Sequence, residues 1–215
     1  MESAIAIAFQ LVILIFSVVI HEVSHGLAAN ALGDPTAKYA GRLTLNPAKH
    51  LDPVGSVLVP LASLFLGGII IGWAKPVPYN PHNLSLRNRD VGAAVVGIAG
   101  PGANIAVALA FGLLVRIADV WAPAAGAAAA ALAEIMGANA LTNLVLAVFN
   151  LVPIPPLDGS KVLFSVLPAR WHGLRLTLER FGFLLLLLFI FYFSQWILPV
   201  VRLLFQLIAG HGLPF

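Results

Sequence analysis

The sequence predicts a mainly α, polytopic membrane helix bundle with a small membrane-edge β-hairpin or sheet and one re-entrant segment. Three observations lead there. The 215 residues are 60% hydrophobic and only 10% charged, whereas a soluble domain carries roughly 25% charged residues. A water-soluble fold of this length could not hide so much apolar side chain, so lipid must solvate much of its surface. The apolar residues are gathered into long runs separated by short polar, proline-rich stretches. Those runs need a lipid bilayer, and the length fits one domain over 1–215 with a catalytic core at about 3–168 and a C-terminal membrane segment at about 172–209.

The first run, 3–32, reads as a helix that Gly33 and Pro35 stop. Its start lacks a basic region and its apolar stretch runs on into H-E-V-S-H, so it reads as retained rather than as a cleaved leader. Residues 34–53 are polar, and Tyr39, Leu43 and Leu45 around Gly41 give the spacing of a short hairpin over 37–46. Residues 54–73 are apolar but broken by Gly67 and Gly68, and 74–90 turn polar again. Another apolar helix is expected over 91–118, and the alanine-rich 124–133 leads into a helix ending near Asn150. The prolines of V-P-I-P-P-L-D-G forbid continuous helix there. A short amphipathic helix near 159–168 and an apolar segment over 181–200 follow, with a short tail after Pro199.

The net charge of +3 could suggest nucleic acid, but no cluster of Lys and Arg forms a binding patch, so no nucleic-acid partner is expected. Basic loops are ordinary in membrane proteins. With no cysteine, any metal must be held by His, Asp or Glu.

H-E-V-S-H supplies two of these. His21 and His25 are four residues apart, hence about 40° apart around a helix and one turn along it, so both imidazoles can reach one zinc ion. Glu22 stands beside them as a general base for an attacking water. The pattern alone is a weak signal. It ends an almost unbroken aliphatic stretch, however, where an ionised side chain costs roughly 2.5–3.5 kcal/mol and is functional by default. A catalytic zinc wants a third protein ligand. Asp158 is a candidate because it follows a broken helix, where irregular backbone at membrane depth needs a lined cavity. Equally, Asp158 fits a simple N-cap of the helix starting near Gly159.

H-E-V-S-H, then G-P-G-A-N, then N-L-V-P-I-P-P-L-D-G, in that order, resembles the site-2 protease family of intramembrane zinc metalloproteases. G-R-L-T-L-N-P and G-W-A-K-P-V-P-Y-N-P are similar to segments of its compact group, which lacks appended PDZ or CBS domains. The resemblance covers most of residues 10–170. It implies that Asp158 is the third ligand of one zinc ion per chain and that Glu22 is the catalytic base. It further implies that Asn150 holds the backbone of a transmembrane protein substrate, and that Asn104 is the family's polar position on the central helix, a second substrate contact. The implied activity is peptide hydrolysis within or next to transmembrane segments, as in regulated intramembrane proteolysis; the alternative is a non-proteolytic metal-binding protein or transporter. The family has Gly-Gly after the aspartate where this chain has Gly159-Ser160.

Asn139, Asn143 and Asn150 fall within about 40° on one helix face. They form either a hydrated wall that binds substrate backbone or a set of interhelical hydrogen bonds. Topology can also be read. The ligands meet only if an odd number of crossings separates the first helix from the one ending near Asn150. Segment 91–118 supplies one, so 54–73 is expected to be re-entrant with its bend at Gly67-Gly68. Ten of the twelve basic residues then share one side, with only Arg116 and Arg202 opposite. The positive-inside rule makes that side cytosolic. The expected location is a prokaryotic plasma membrane, with the active site open toward the cytosol.

Overall fold

A computed structural model describes residues 2–52, 54–55, 74–210 and 212. Helix α1 spans Glu2–Ala31, a short helical turn α2 spans Thr36–Tyr39, and α3 spans Arg89–Ala125. Helix α4 spans Ala127–Asn150, α5 Gly159–Val166, α6 His172–Leu188 and α7 Ile197–Ala209. Among the described residues, four stretches are long and apolar enough to cross a membrane: Ile5–Ala31, Arg89–Ala118, Ala127–Asn150 and Ala169–Ala209. The outward faces of these helices carry exposed Ile, Leu, Val and Phe, as expected where lipid replaces water.

The local chemistry explains where the helices start and stop. Gly33, at φ +96°, closes α1: its N–H donates to Asn30 O at 3.1 Å, and Asp34 N–H donates to Ala29 O at 2.9 Å. This is the paired pattern of a glycine-terminated helix. Asn88 caps α3, its side-chain oxygen accepting from Asp90 N at 3.0 Å. Gly126, at φ +85°, separates α3 from α4.

The described residues contain no strand, so the hairpin expected over 37–46 is replaced by other structure. Side-chain acceptors start local turns at both ends of that stretch. The Asp34 carboxylate accepts from the backbone N–H and the hydroxyl of Thr36, which starts the α2 turn. Arg42 N then returns to Ala37 O at 3.0 Å, and Gly41 at φ +63° provides the reversal. Asn46 caps a 3-10 turn at Pro47–Lys49. The expected re-entrant bend at Gly67-Gly68 lies outside the described residues.

Buried Asp34 also accepts from Asn80 N at 2.6 Å and Asn83 Nδ2 at 3.0 Å. Burial pushes its carboxyl pKa up, but these donors and Thr36 hold it below the ordinary value. The same bonds fasten residues 80–83 against the end of α1, and Ser85 N donates to Leu32 O at 2.7 Å. Segment 74–79 is thereby laid beside the histidine-bearing turn.

One buried cluster joins Ala108 and Val115 of α3, Ala140 and Leu144 of α4, and Val201, Phe205 and Ala209 of α7. The last helical segment reaches beyond the apolar run 181–200 at both ends. It continues from α6 through a π-helical turn, Phe189–Phe193, and a 3-10 turn, Ser194–Trp196, into α7. Pro199 does not end it, because it sits in the first turn of α7, where no helical acceptor waits for its missing N–H.

Candidate active site

The site is assembled from α1, α3 and the start of α5. His21 and His25 project from successive turns of α1 with ring centroids 4.6 Å apart and planes at 88°. Their Nε2 atoms lie 3.0 and 3.1 Å from the same oxygen, Asp158 Oδ2. All three residues are buried. Asp158 takes the N-cap position of α5 but makes no capping hydrogen bond. The capping alternative therefore has no support in the geometry. Instead, its second oxygen, Oδ1, accepts from Lys161 Nζ at 2.8 Å, and that ammonium also sits 5.6 Å above the Tyr79 ring.

The other edge of each imidazole is equally committed. His25 Nδ1 is 2.6 Å from Val96 O, and His21 Nδ1 is 2.6 Å from Asn104 Oδ1. Both partners are acceptors, so each Nδ1 carries the proton and each neutral ring points an Nε2 lone pair inward. Two lone pairs and a carboxylate oxygen then converge with no hydrogen among them. Protonating both rings would place two buried imidazolium ions edge to face, a costly arrangement. A metal cation satisfies all three at once. These ligand atoms lie within 4.8 Å of one another, and two imidazoles plus one carboxylate make a donor set typical of catalytic zinc. The residues fit the ion.

Glycine makes this crowding possible. A Cβ on Gly100 would lie 2.5 Å from His25 Nε2, 2.6 Å from His25 Cε1 and 2.8 Å from His21 Cε1. A Cβ on Gly159 would collide with the backbone carbonyl of Leu151, so only glycine after Asp158 lets the proline-rich turn fold back onto α5. On α6, Gly182 lies against Pro155 O, where a Cβ would approach to 2.6 Å.

Glu22 is half-buried, and its Oε2 accepts from Val77 N at 2.7 Å. Val77 lies between Pro76 and Pro78, which have no N–H, so it carries the one backbone donor of that tripeptide. Its donor orients Glu22, while the other carboxylate oxygen makes no hydrogen bond among the described residues. Asn150 ends α4, half-buried, with Nδ2 donating to Leu146 O at 2.9 Å. Asn104, whose motif implied a substrate contact, is engaged by protein groups on both sides of its amide. It is 0% exposed, lies behind His21, and spends Nδ2 on Ser17 O and Asn143 Oδ1.

Lys161, Val77 and Ser17 were not singled out as site residues from the sequence. Lys161 and Ser17 carried a signal, since they stand three residues after one ligand and four before another on helices. The Val77 contact spans 55 positions and has no local signature.

Comparison with known proteins agrees with this geometry. The model for peptidase family M50 matches residues 114–193, which include Asp158. The chain is 36% identical over 180 residues to "Putative zinc metalloprotease YwhC" of Bacillus subtilis, covering 83% of this chain and 78% of that protein. It is 33% identical over 172 residues to "Putative zinc metalloprotease Rip2" of Mycolicibacterium smegmatis, covering 80% of this chain and 62% of that one. Against Rip2 of Mycobacterium tuberculosis strain H37Rv the identity is 31% over 199 residues, covering 89% and 70%. No solved structure matches the chain. Similarity across most of both chains, together with the buried His-His-Asp group between apolar helices, places this chain in peptidase family M50, the site-2 protease family of zinc metallopeptidases.

Proposed function

We propose that this membrane protein hydrolyses peptide bonds within or next to transmembrane segments of other membrane proteins. One observation carries the proposal: a three-ligand metal group is buried among helices whose outer faces suit lipid. His21, His25 and Asp158 would hold one zinc ion. Zinc in such a site polarises a carbonyl and makes water a usable nucleophile near neutral pH.

The chain's own groups account for the rest. Asn104, Val96 O and Lys161 keep the three ligands turned inward. The Glu22 oxygen that Val77 N does not hold, Oε1, takes a proton from the attacking water as the new C–O bond forms. The same carboxyl returns the proton to the leaving nitrogen as the C–N bond breaks. A helical substrate hides its carbonyls, so it must unwind locally to be cut. Asn150, with Oδ1 and one amide hydrogen unspent among the described residues, suits such an extended backbone. Losing that contact is expected to lower catalytic efficiency about ten- to a hundredfold. Asn150→Leu should therefore bind zinc and melt normally but cleave poorly; unchanged cleavage of a natural substrate would remove Asn150 from the site.

The ten basic residues on one side support an orientation with the site facing the cytosol of a prokaryotic cell. The function is tested by comparing membrane proteomes of cells carrying wild type or Glu22→Gln. Intact membrane proteins should accumulate with Glu22→Gln, and their wild-type cleavage sites should fall in or beside apolar spans. Sites confined to soluble loops would contradict the proposal.

A further inference from the structure

Behind the metal group, three helices share a polar cluster whose inner members are sealed from solvent, with half-buried Asn139 at its outer end. Asn104 on α3 and Asn143 on α4 are both 0% exposed, and Ser17 on α1 is 2% exposed. Asn104 Nδ2 donates to Asn143 Oδ1 at 2.7 Å and to Ser17 O at 3.2 Å. Asn143 Nδ2 donates to Ser17 Oγ at 2.9 Å, to Asn139 O at 2.9 Å and to Asn139 Oδ1 at 3.2 Å.

This arrangement has a direction. A backbone carbonyl only accepts, so Asn139 O fixes the Nδ2 end of Asn143 and turns its Oδ1 toward α3. That oxygen, joined by the carbonyl of Ser17, fixes the Nδ2 end of Asn104 in turn. The remaining end of Asn104 is Oδ1, which faces His21 Nδ1 at 2.6 Å and requires its proton there. His21 Nε2 is thereby left with its lone pair aimed at Asp158 Oδ2. Turning either amide over would leave N–H facing N–H in a dry site, an expensive mismatch.

We propose that Asn143, which touches no metal ligand, is a positioning residue for the zinc site: through Asn104 it fixes the proton of His21 on Nδ1. The inference rests on the metal-site reading above and deepens it. It differs from a purely interhelical role, in which only helix association would depend on Asn143. Outer groups that orient metal-bound histidines typically matter ten- to a hundredfold in metal affinity, and a group one bond further out is expected at about the lower end.

The test uses the full chain in detergent, with zinc itself as probe. Two quantities are read: the zinc Kd by chelator competition and the Tm of the metal-free protein. Asn143→Leu and Asn143→Ala should each raise the Kd about 10-fold. Thr142→Val is the control. It removes the 3.2 Å bond from Gln10 Nε2 between α1 and α4 without touching the amide chain. It should change Tm alone, leaving Kd within about twofold. In an Asn104→Asp background both acceptor oxygens are alike, so no amide remains to be oriented. There Asn143→Ala should raise the Kd less than about threefold.

A folded Asn143 variant that binds zinc like wild type would overturn the proposal. So would an undiminished effect in the Asn104→Asp background, or equal weakening by Thr142→Val. Failure of both Asn143 variants to fold would also count against it, because a positioning role requires a folded metal-free protein. Wild type and His21→Ala are measured alongside. Equal zinc affinity of those two would defeat the metal-site reading itself, a result distinct from failure of the Asn143 variants alone.

Discussion

Glu22→Gln is expected to retain zinc and to slow peptide hydrolysis about 10²–10⁴-fold, the range that a positioned proton-transfer group contributes. Glutamine keeps the shape and can still accept from Val77 N, so segment 74–79 should stay in place. What it loses is the ability to take a proton. The ligands are untouched, because none of their hydrogen bonds involves Glu22. The check is zinc content and turnover of one transmembrane substrate on the same preparation. Hydrolysis within about tenfold of wild type would assign the base elsewhere.

Gly100→Ala should have the opposite signature, losing metal and activity together. The added methyl would meet both imidazoles at 2.5–2.8 Å, well inside van der Waals contact. Neither ring can move aside cheaply, because Val96 O and Asn104 Oδ1 hold their far edges. One histidine must leave the group, and zinc affinity should fall at least about 100-fold, beyond the usual cost of an outer-shell change. Helix propensity cannot explain such a loss, since alanine is favoured over glycine by about 1 kcal/mol in a helix interior. Gly102→Ala is the internal control: a Cβ there meets nothing within 4 Å among the described residues. It should bind zinc normally and melt no lower than wild type. Chelator competition and thermal melting on the two variants distinguish a local clash from general damage to α3.

The membrane helices were legible because hydropathy and helix-stop chemistry are local. Gly33 ends α1 and Asn150 ends α4 where the sequence placed them. His21, His25 and Asp158 were legible for a related reason. A four-residue spacing fixes two ligands on one face, and the proline-broken segment marks where the backbone turns inward.

Where the hairpin over 37–46 was expected, Asp34 and Asn46 instead start local turns at its two ends, on the N–H groups of Thr36 and Ala48. Local turns then outcompete strand pairing. Pro199 misled because a proline tolerated in a first helical turn looks, in sequence, like a stop. The position of Asn104 behind His21 was hidden for a third reason. A polar residue on a central helix has one sequence appearance whether it faces a substrate or another side chain, and only the packing of α1 and α4 around α3 decides. Gly100 belongs with it, since its role depends on 2.5 Å contacts made across helices.

The most direct measurement is zinc per chain in purified wild type and in Asp158→Ala. The account predicts about one zinc per wild-type chain and loss of that zinc in Asp158→Ala, because the three ligand atoms share one point and Asp158 brings the only charge among them. Full zinc retention in Asp158→Ala would contradict it.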